Sequence, residues 1–114
     1  MPPKINPLKL NPLQCKTLVL FQELARNPET SQRNPDGDVL LMALPRPHGD
    51  HFHVGRKVVL SRDATGLANQ AVWTVLERKG LLRGFSFPHA VVMTAEGVDY
   101  DTGLADKILH GSDH

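Results

Sequence analysis

The sequence predicts a small α+β domain: helices, then a C-terminal β-hairpin, with a further short strand or hairpin near residues 39–61. Three observations predict it. Residues 67–79 (LANQAVWTVLERK) place Leu67, Ala71, Val72, Val75 and Leu76 at helical spacing. Two short apolar runs follow, 80–87 and 90–94, broken by Pro88-His89 as a hairpin turn would break them. An earlier stripe of Leu13, Thr17, Leu18, Leu20, Phe21, Leu24 and Ala25 marks another helix. A chain of 114 residues is the length of one domain.

Residues 1–10 carry Pro2, Pro3 and Pro7, which restrict helix formation, and read as a flexible arm whose Lys4 and Lys9 are solvated or touch phosphates. The domain itself is expected over 11–109. Its first helix starts after Asn11: asparagine is a strong N-cap, Pro12 suits the first helical position, and Gln14 stands where a capping-box partner belongs. Lys16, Gln22, Glu23 and Arg26 fall mostly off the inward stripe, and Asn27-Pro28 stops the helix. Residues 27–38 (NPETSQRNPDGD) read as a loop with a turn at Asn34-Pro35-Asp36-Gly37. Residues 39–44 (VLLMAL) are an apolar run closed by Pro45, read as strand in preference to a short piece of helix.

Residues 45–53 (PRPHGDHFH) gather His48, Asp50, His51 and His53. Imidazoles with a carboxylate suit zinc or nickel, and His51 and His53 share a face if the segment is extended. Structural zinc sites pair such ligands with a second set at longer spacing, and none is tied to this cluster, so it reads as a polar loop and no metal or cofactor is expected. Residues 54–63 (VGRKVVLSRD) allow two readings. The β-branched pair Val58-Val59 favours strand, whereas a helix would put Val54, Val58 and Arg62 on one side.

Asp63 or Thr65 can cap the helix at 67–79, and Gly80 can end it in the left-handed conformation with Leu81 or Leu82 folding back on the last turn. Phe85 and Phe87 share one face of the hairpin, either as core or as a protein contact. Residues 95–101 begin a short helix. Leu104, Ile108 and Leu109 follow at helical spacing, and 110–114 reads as a disordered tail.

Net charge is +1, but its distribution is uneven. Arg56, Lys57, Arg62, Arg78, Lys79 and Arg83 outnumber Asp63 and Glu77 over 56–83, while the last twenty or so residues are acidic. A basic block favours a polyanion partner or is simply a solvated face. Cys15 is the only cysteine, so no disulfide forms within the chain, and it reads as a buried, inert thiol. No apolar run has the length of a membrane span, and MPPKINPLKLN has no signal-cleavage pattern; a cytoplasmic protein is the expectation. No nucleophile–base pairing, phosphate loop or paired carboxylates form a recognisable motif, so an enzyme is not expected.

The run GLANQAVWTVLERKGLL resembles the turn, second helix and start of the wing in winged helix-turn-helix proteins. Gly66 matches the turn, Leu67 follows it, Val72 and Val75 match inward helix positions, and Arg78-Lys79-Gly80-Leu81-Leu82 matches the step into the wing. Val91-Val92-Met93-Thr94-Ala95-Glu96-Gly97 is similar to the wing's second strand running into a following helix. The chain departs from the pattern at Arg62, where a small residue is usual, and only the helix reading of 54–63 would complete the motif. The resemblance implies a double-stranded DNA-binding module, a small bacterial-type regulator acting as a homodimer, for which a terminal helix with Leu104, Ile108 and Leu109 would be the candidate small seam. Its helix would read the major groove through Asn69 and Gln70, both able to pair bidentately with adenine, with Trp73 and Thr74 continuing the exposed edge. Arg56, Lys57 and Arg62 would meet phosphates at the helix start, and Arg83 and His89 would touch backbone from the wing. Each has a plainer role: Asn69 and Gln70 as solvated helix residues, Trp73 packed under the wing. A protein-binding adaptor using Trp73, Phe85 and Phe87 is the alternative, and a metal-responsive protein using the histidine cluster a third reading.

Overall fold

A computed structural model of the chain describes residues 5–46, 49–55 and 57–111. At its centre is α1 (Pro12–Ala25). The expected capping box forms: Gln14 N–H donates to Asn11 Oδ1 at 2.8 Å, and Asn11 N–H donates to Gln14 Oε1 at 3.1 Å. The helix is enclosed well beyond one stripe. Gln22 and Glu23, expected off the inward face, are each only 7% exposed. Gln22 tolerates this because its amide donates to the Gly97 and Tyr100 carbonyls at 3.0 and 2.7 Å, and Glu23 accepts from Arg26 at 3.1 Å.

One flank of α1 meets a four-stranded antiparallel sheet. β1 (Ser31–Arg33) and β2 (Val39–Leu41) are joined through the turn at 34–37. Part of the expected loop 27–38 is therefore strand. Three polar residues carry no β pattern of their own; β1 forms because β2 offers it a ladder of backbone bonds. β5 (Leu82–Ser86) and β6 (Ala90–Met93) form the expected hairpin, and β6 pairs with β2 on its other side. A separate two-stranded ribbon consists of β3 (His51–Val54) and β4 (Lys57–Leu60). Residues 57–60 are thus strand: Val59 lies opposite Phe52, and both are buried in the common core. The helix reading of 54–63 falls, because that pairing satisfies the backbone and buries the β-branched face together.

β4 leads into two short 3-10 turns, Ser61–Asp63 and Thr65–Ala68, and then into α2 (Gln70–Arg78). The helix is shorter than the expected 67–79. Asn69 is extended and its Oδ1 accepts the Ala71 N–H at 3.1 Å, so Asn69 is the N-cap and not Asp63 or Thr65. Residues 65–68 are held apart from α2 by their packing. A Cβ at Gly66 would collide with the Thr17 hydroxyl on α1, and the Gly66 carbonyl accepts the Trp73 indole N–H at 2.9 Å. At the other end Gly80, with φ of 80°, closes α2 as expected. Gly80 N–H reaches the Glu77 carbonyl and Leu81 N–H the Leu76 carbonyl, both at 3.0 Å, which buries Leu81 beside Leu76.

The chain ends on α3 (Ala95–Asp99), capped by the Thr94 hydroxyl, and α4 (Ala105–Ile108). Ile108 is 3% exposed, and Leu104 and Leu109 pack on the same core, so the residues read as a dimer seam are used within the chain. His110 exchanges both backbone hydrogen bonds with Val58, at 2.8 and 2.9 Å, and so belongs to the fold and not to a tail; residues 112–114 lie outside the described residues. Residues 5–10 are likewise docked. Tyr100 donates its hydroxyl proton to Asn6 and accepts the Leu8 N–H at 2.9 Å, and Leu10 is buried. No helix among the described residues is long and apolar enough to cross a membrane.

Two groups couple this packing to pH. Burial raises the pKa of the Cys15 thiol above its ordinary 9.0, and burial is also the largest of the influences that raise the Tyr100 phenol above 10.0. Folding holds both protonated, so the unfolded chain ionises first. Their contribution to stability is level at neutral pH and declines as pH rises through those two ordinary values. The urea midpoint is therefore expected to fall between about pH 7 and pH 10.5. The Cys15→Ala/Tyr100→Phe variant should show a shallower fall; an identical slope in both proteins would remove these groups as its cause.

Candidate functional site

α2 presents a polar face. Its sequence buries Val72, Trp73 and Leu76 against the core, which turns Gln70, Ala71, Thr74 and Arg78 the other way. Gln70, Thr74 and Arg78 recur every fourth residue, so they stand in one row along the helix. Gln70 and Arg78 are exposed, and Thr74 is half-buried with its hydroxyl donating to the Gln70 carbonyl at 3.1 Å. Glu77 is the only carboxylate in α2, and exposed Lys79 follows Arg78.

One residue of the expected reading surface is corrected. Trp73 is 0% exposed. Its ring is edge-on to Phe21, Phe85 and Phe87 at centroid separations of 5.3, 5.5 and 4.8 Å. It packs under the hairpin and cannot meet a base. Phe85 and Phe87 pack against the same cluster and stay half-buried, so of the adaptor reading's three aromatics Trp73 alone is fully enclosed. Asn69 is exposed, and one lone pair of its oxygen accepts the Ala71 N–H. Pairing with adenine uses donor and acceptor together, and Gln70 is the amide that carries no capping role.

The expected phosphate contacts scatter. Arg83 is a partner of Asp38, whose side chain is buried on β2's approach. That hydrogen bond, and then the carboxylate's charge, raise the guanidinium pKa further, and the pair compensates Arg83's charge. Arg62 is exposed on the first 3-10 turn, beside Asp50 in a shallow recess. That turn is tied to α1 by the Lys16–Asp63 ion pair at 2.9 Å. Lys57 is set elsewhere. It follows the β3–β4 turn, whose Gly55 lies against Glu23, whereas Gly66 lies against Thr17, about 9 Å back along α1. Arg56 lies outside the described residues.

His51 and His53 do share the outward face of β3, as extended backbone requires. His48 lies outside the described residues, and among those described no three potential ligands, Asp50 included, converge on a metal site.

His89 is exposed at the tip of the β5–β6 hairpin and lines a cleft with Leu67 and Ala68, just ahead of Asn69. Arg46 joins it there, a residue that sequence reasoning did not single out. No motif marks Arg46. It arrives because β2 pairs with β6: extending the Leu41–Val91 register by two residues brings Ala43 beside His89, and Arg46 follows. The fold and this geometry define a small α+β domain with a short exposed helix beside a hairpin. Comparison with models of protein families, with curated proteins and with solved structures finds no match to the chain.

Proposed function

We propose that this chain binds double-stranded DNA in the manner of a winged-helix module, with α2 in the major groove and the β5–β6 hairpin against the adjacent backbone. The observation that carries this reading is the row of Gln70, Thr74 and Arg78 on the solvent face of α2, with Lys79 at its end. Gln70 supplies an amide for an adenine edge, and the Thr74 methyl suits a thymine methyl. Arg78, Lys79, Arg62 and His89 supply the sequence-independent attraction to phosphates. Where a helix would precede the turn in helix-turn-helix proteins, this chain has β4 and a 3-10 turn. The rigid support of α2 therefore comes from Trp73 under the hairpin and from Gly66 against α1.

Anisotropy of a labelled random-sequence duplex, titrated with salt, tests the reading. The Arg78→Glu/Lys79→Glu variant is expected to weaken binding at least about 10-fold and to flatten the slope of log affinity on log salt by about two. Gln70→Ala should leave that affinity within about twofold while relaxing preference among selected sites. Gln70 is the better probe than Asn69, whose loss would also uncap α2 at a cost of about 1 kcal/mol. Absence of binding to every duplex at low salt would sink the proposal.

A further inference from the structure

Residues 5–10 are fastened to the body of the domain by few groups. The Tyr100 hydroxyl is the main one: it accepts the Leu8 N–H at 2.9 Å and donates to Asn6 Oδ1. The Asn6 N–H donates to the Asp101 carbonyl at 2.7 Å, and Ile5 lies against Gly103. Apolar burial adds little before Leu10, since Ile5 is 66% exposed and Leu8 38%. Part of the segment is also held in an unfavourable shape. Asn6 and Lys9 have φ of 51° and 56°; asparagine accepts the left-handed region, whereas lysine rarely does.

Beneath the segment the polar groups form a connected chain. The Asn6 side chain grips Leu10 on both sides: its Oδ1 accepts the Leu10 N–H and its Nδ2 donates to the Leu10 carbonyl, each at 2.9 Å. The same carbonyl accepts the Cys15 thiol at 3.7 Å. Leu10 stands just before the Asn11 cap and Cys15 at the fourth helical position, so the two form the staple that closes the first turn of α1. Both are buried. The Tyr100 hydroxyl thus fixes Asn6, Asn6 fixes Leu10, and Leu10 covers the thiol.

We propose that residues 5–10 form a strap that opens as one unit while the rest of the domain stays folded, with the Tyr100 hydroxyl as its latch. Segments with few buried apolar contacts and exposed hydrogen bonds open at the low end of a protein's stability range. The helix beneath keeps its start when the strap leaves, because Asn11 caps α1 through Gln14 and not through the strap. Closed, the strap seals the Cys15 thiol. Open, it exposes that thiol and the first turn of α1 to solvent. Whatever removes the hydrogen bonds of the Tyr100 hydroxyl shifts the balance toward the open state.

Amide hydrogen exchange in increasing urea tests this, with labelling of Cys15 by the aromatic disulfide dithiodipyridine as a second reporter. The Leu8 and Leu10 amides are expected to exchange through an opening that depends weakly on urea. The amides of the fully buried Val19 and Val91 should show the steep dependence of global unfolding. Tyr100→Phe keeps the ring and removes the latch, and should speed both strap exchange and thiol labelling by about 10-fold. Lys9→Gly relieves the left-handed conformation and should slow both by about threefold. Leu8 and Leu10 amides that share the steep urea dependence of the core would overturn the proposal, as would thiol labelling indifferent to Tyr100→Phe. If Tyr100→Phe does not fold, the urea dependence and Lys9→Gly decide. Neither the strap nor Tyr100 is among the proposed duplex contacts, so the outcome is independent of the DNA proposal.

Discussion

Trp73→Ala should lower the stability of the chain by roughly 4–6 kcal/mol. The side chain is fully enclosed, edge-on to three phenylalanine rings, and its indole N–H satisfies the Gly66 carbonyl at 2.9 Å. Truncating a buried tryptophan costs about 3–5 kcal/mol, and orphaning a buried carbonyl adds about 1 kcal/mol or more. A domain of this size has only about 5–15 kcal/mol in hand. Trp73→Phe separates the two effects: it keeps most of the ring packing and drops the hydrogen bond, for a loss of about 1–3 kcal/mol. Urea titration followed by circular dichroism reads both. A Trp73→Ala midpoint close to that of the parent would mean that the tryptophan is not the keystone between α1, α2 and the hairpin.

Gly97→Ala is expected to be nearly as severe, for a different reason. A Cβ on Gly97 would sit closer than 3.0 Å to the Leu81 carbonyl, and the obstacle is backbone that no rotamer change can move. α3 would have to lift off the end of α2. That motion strains the Thr94 N–H bond to the Leu81 carbonyl at 3.2 Å and the Gln22 bond to the Gly97 carbonyl at 3.0 Å. A loss of at least about 3 kcal/mol follows, or roughly 10 °C or more in Tm. Gly84→Ala is the control, since a Cβ there meets nothing within 4 Å. Thermal melts of the two variants side by side should differ by that amount; a Gly97→Ala melt matching the control would show that α3 yields freely.

Much of the fold was legible because it is encoded locally. The Asn11 box, the Gly80 closure and the turn at 34–37 each rest on side chains or backbone freedoms within a few residues, so the spacing of types is enough to place them. The candidate site was legible in part. Gln70, Thr74 and Arg78 face outward because the apolar period of α2 leaves them that side. Trp73 and Arg83 were not legible. A tryptophan in a polar run reads equally as contact or as core until Phe21 and Phe87 arrive from either side, and Arg83's charge reads as available until Asp38 is brought to it.

By itself the sequence determined which segments become helix, turn and hairpin, and which face of α2 is polar. The tertiary structure alone decided that β1 exists, that Asn69 caps α2, that the two ends of the described chain are docked, and that Arg46 and His89 line one cleft. The division follows from range. Propensity and periodicity act over a few neighbouring residues, whereas strand partners, burial of a charge and the walls of a cleft depend on segments far apart in the chain coming together.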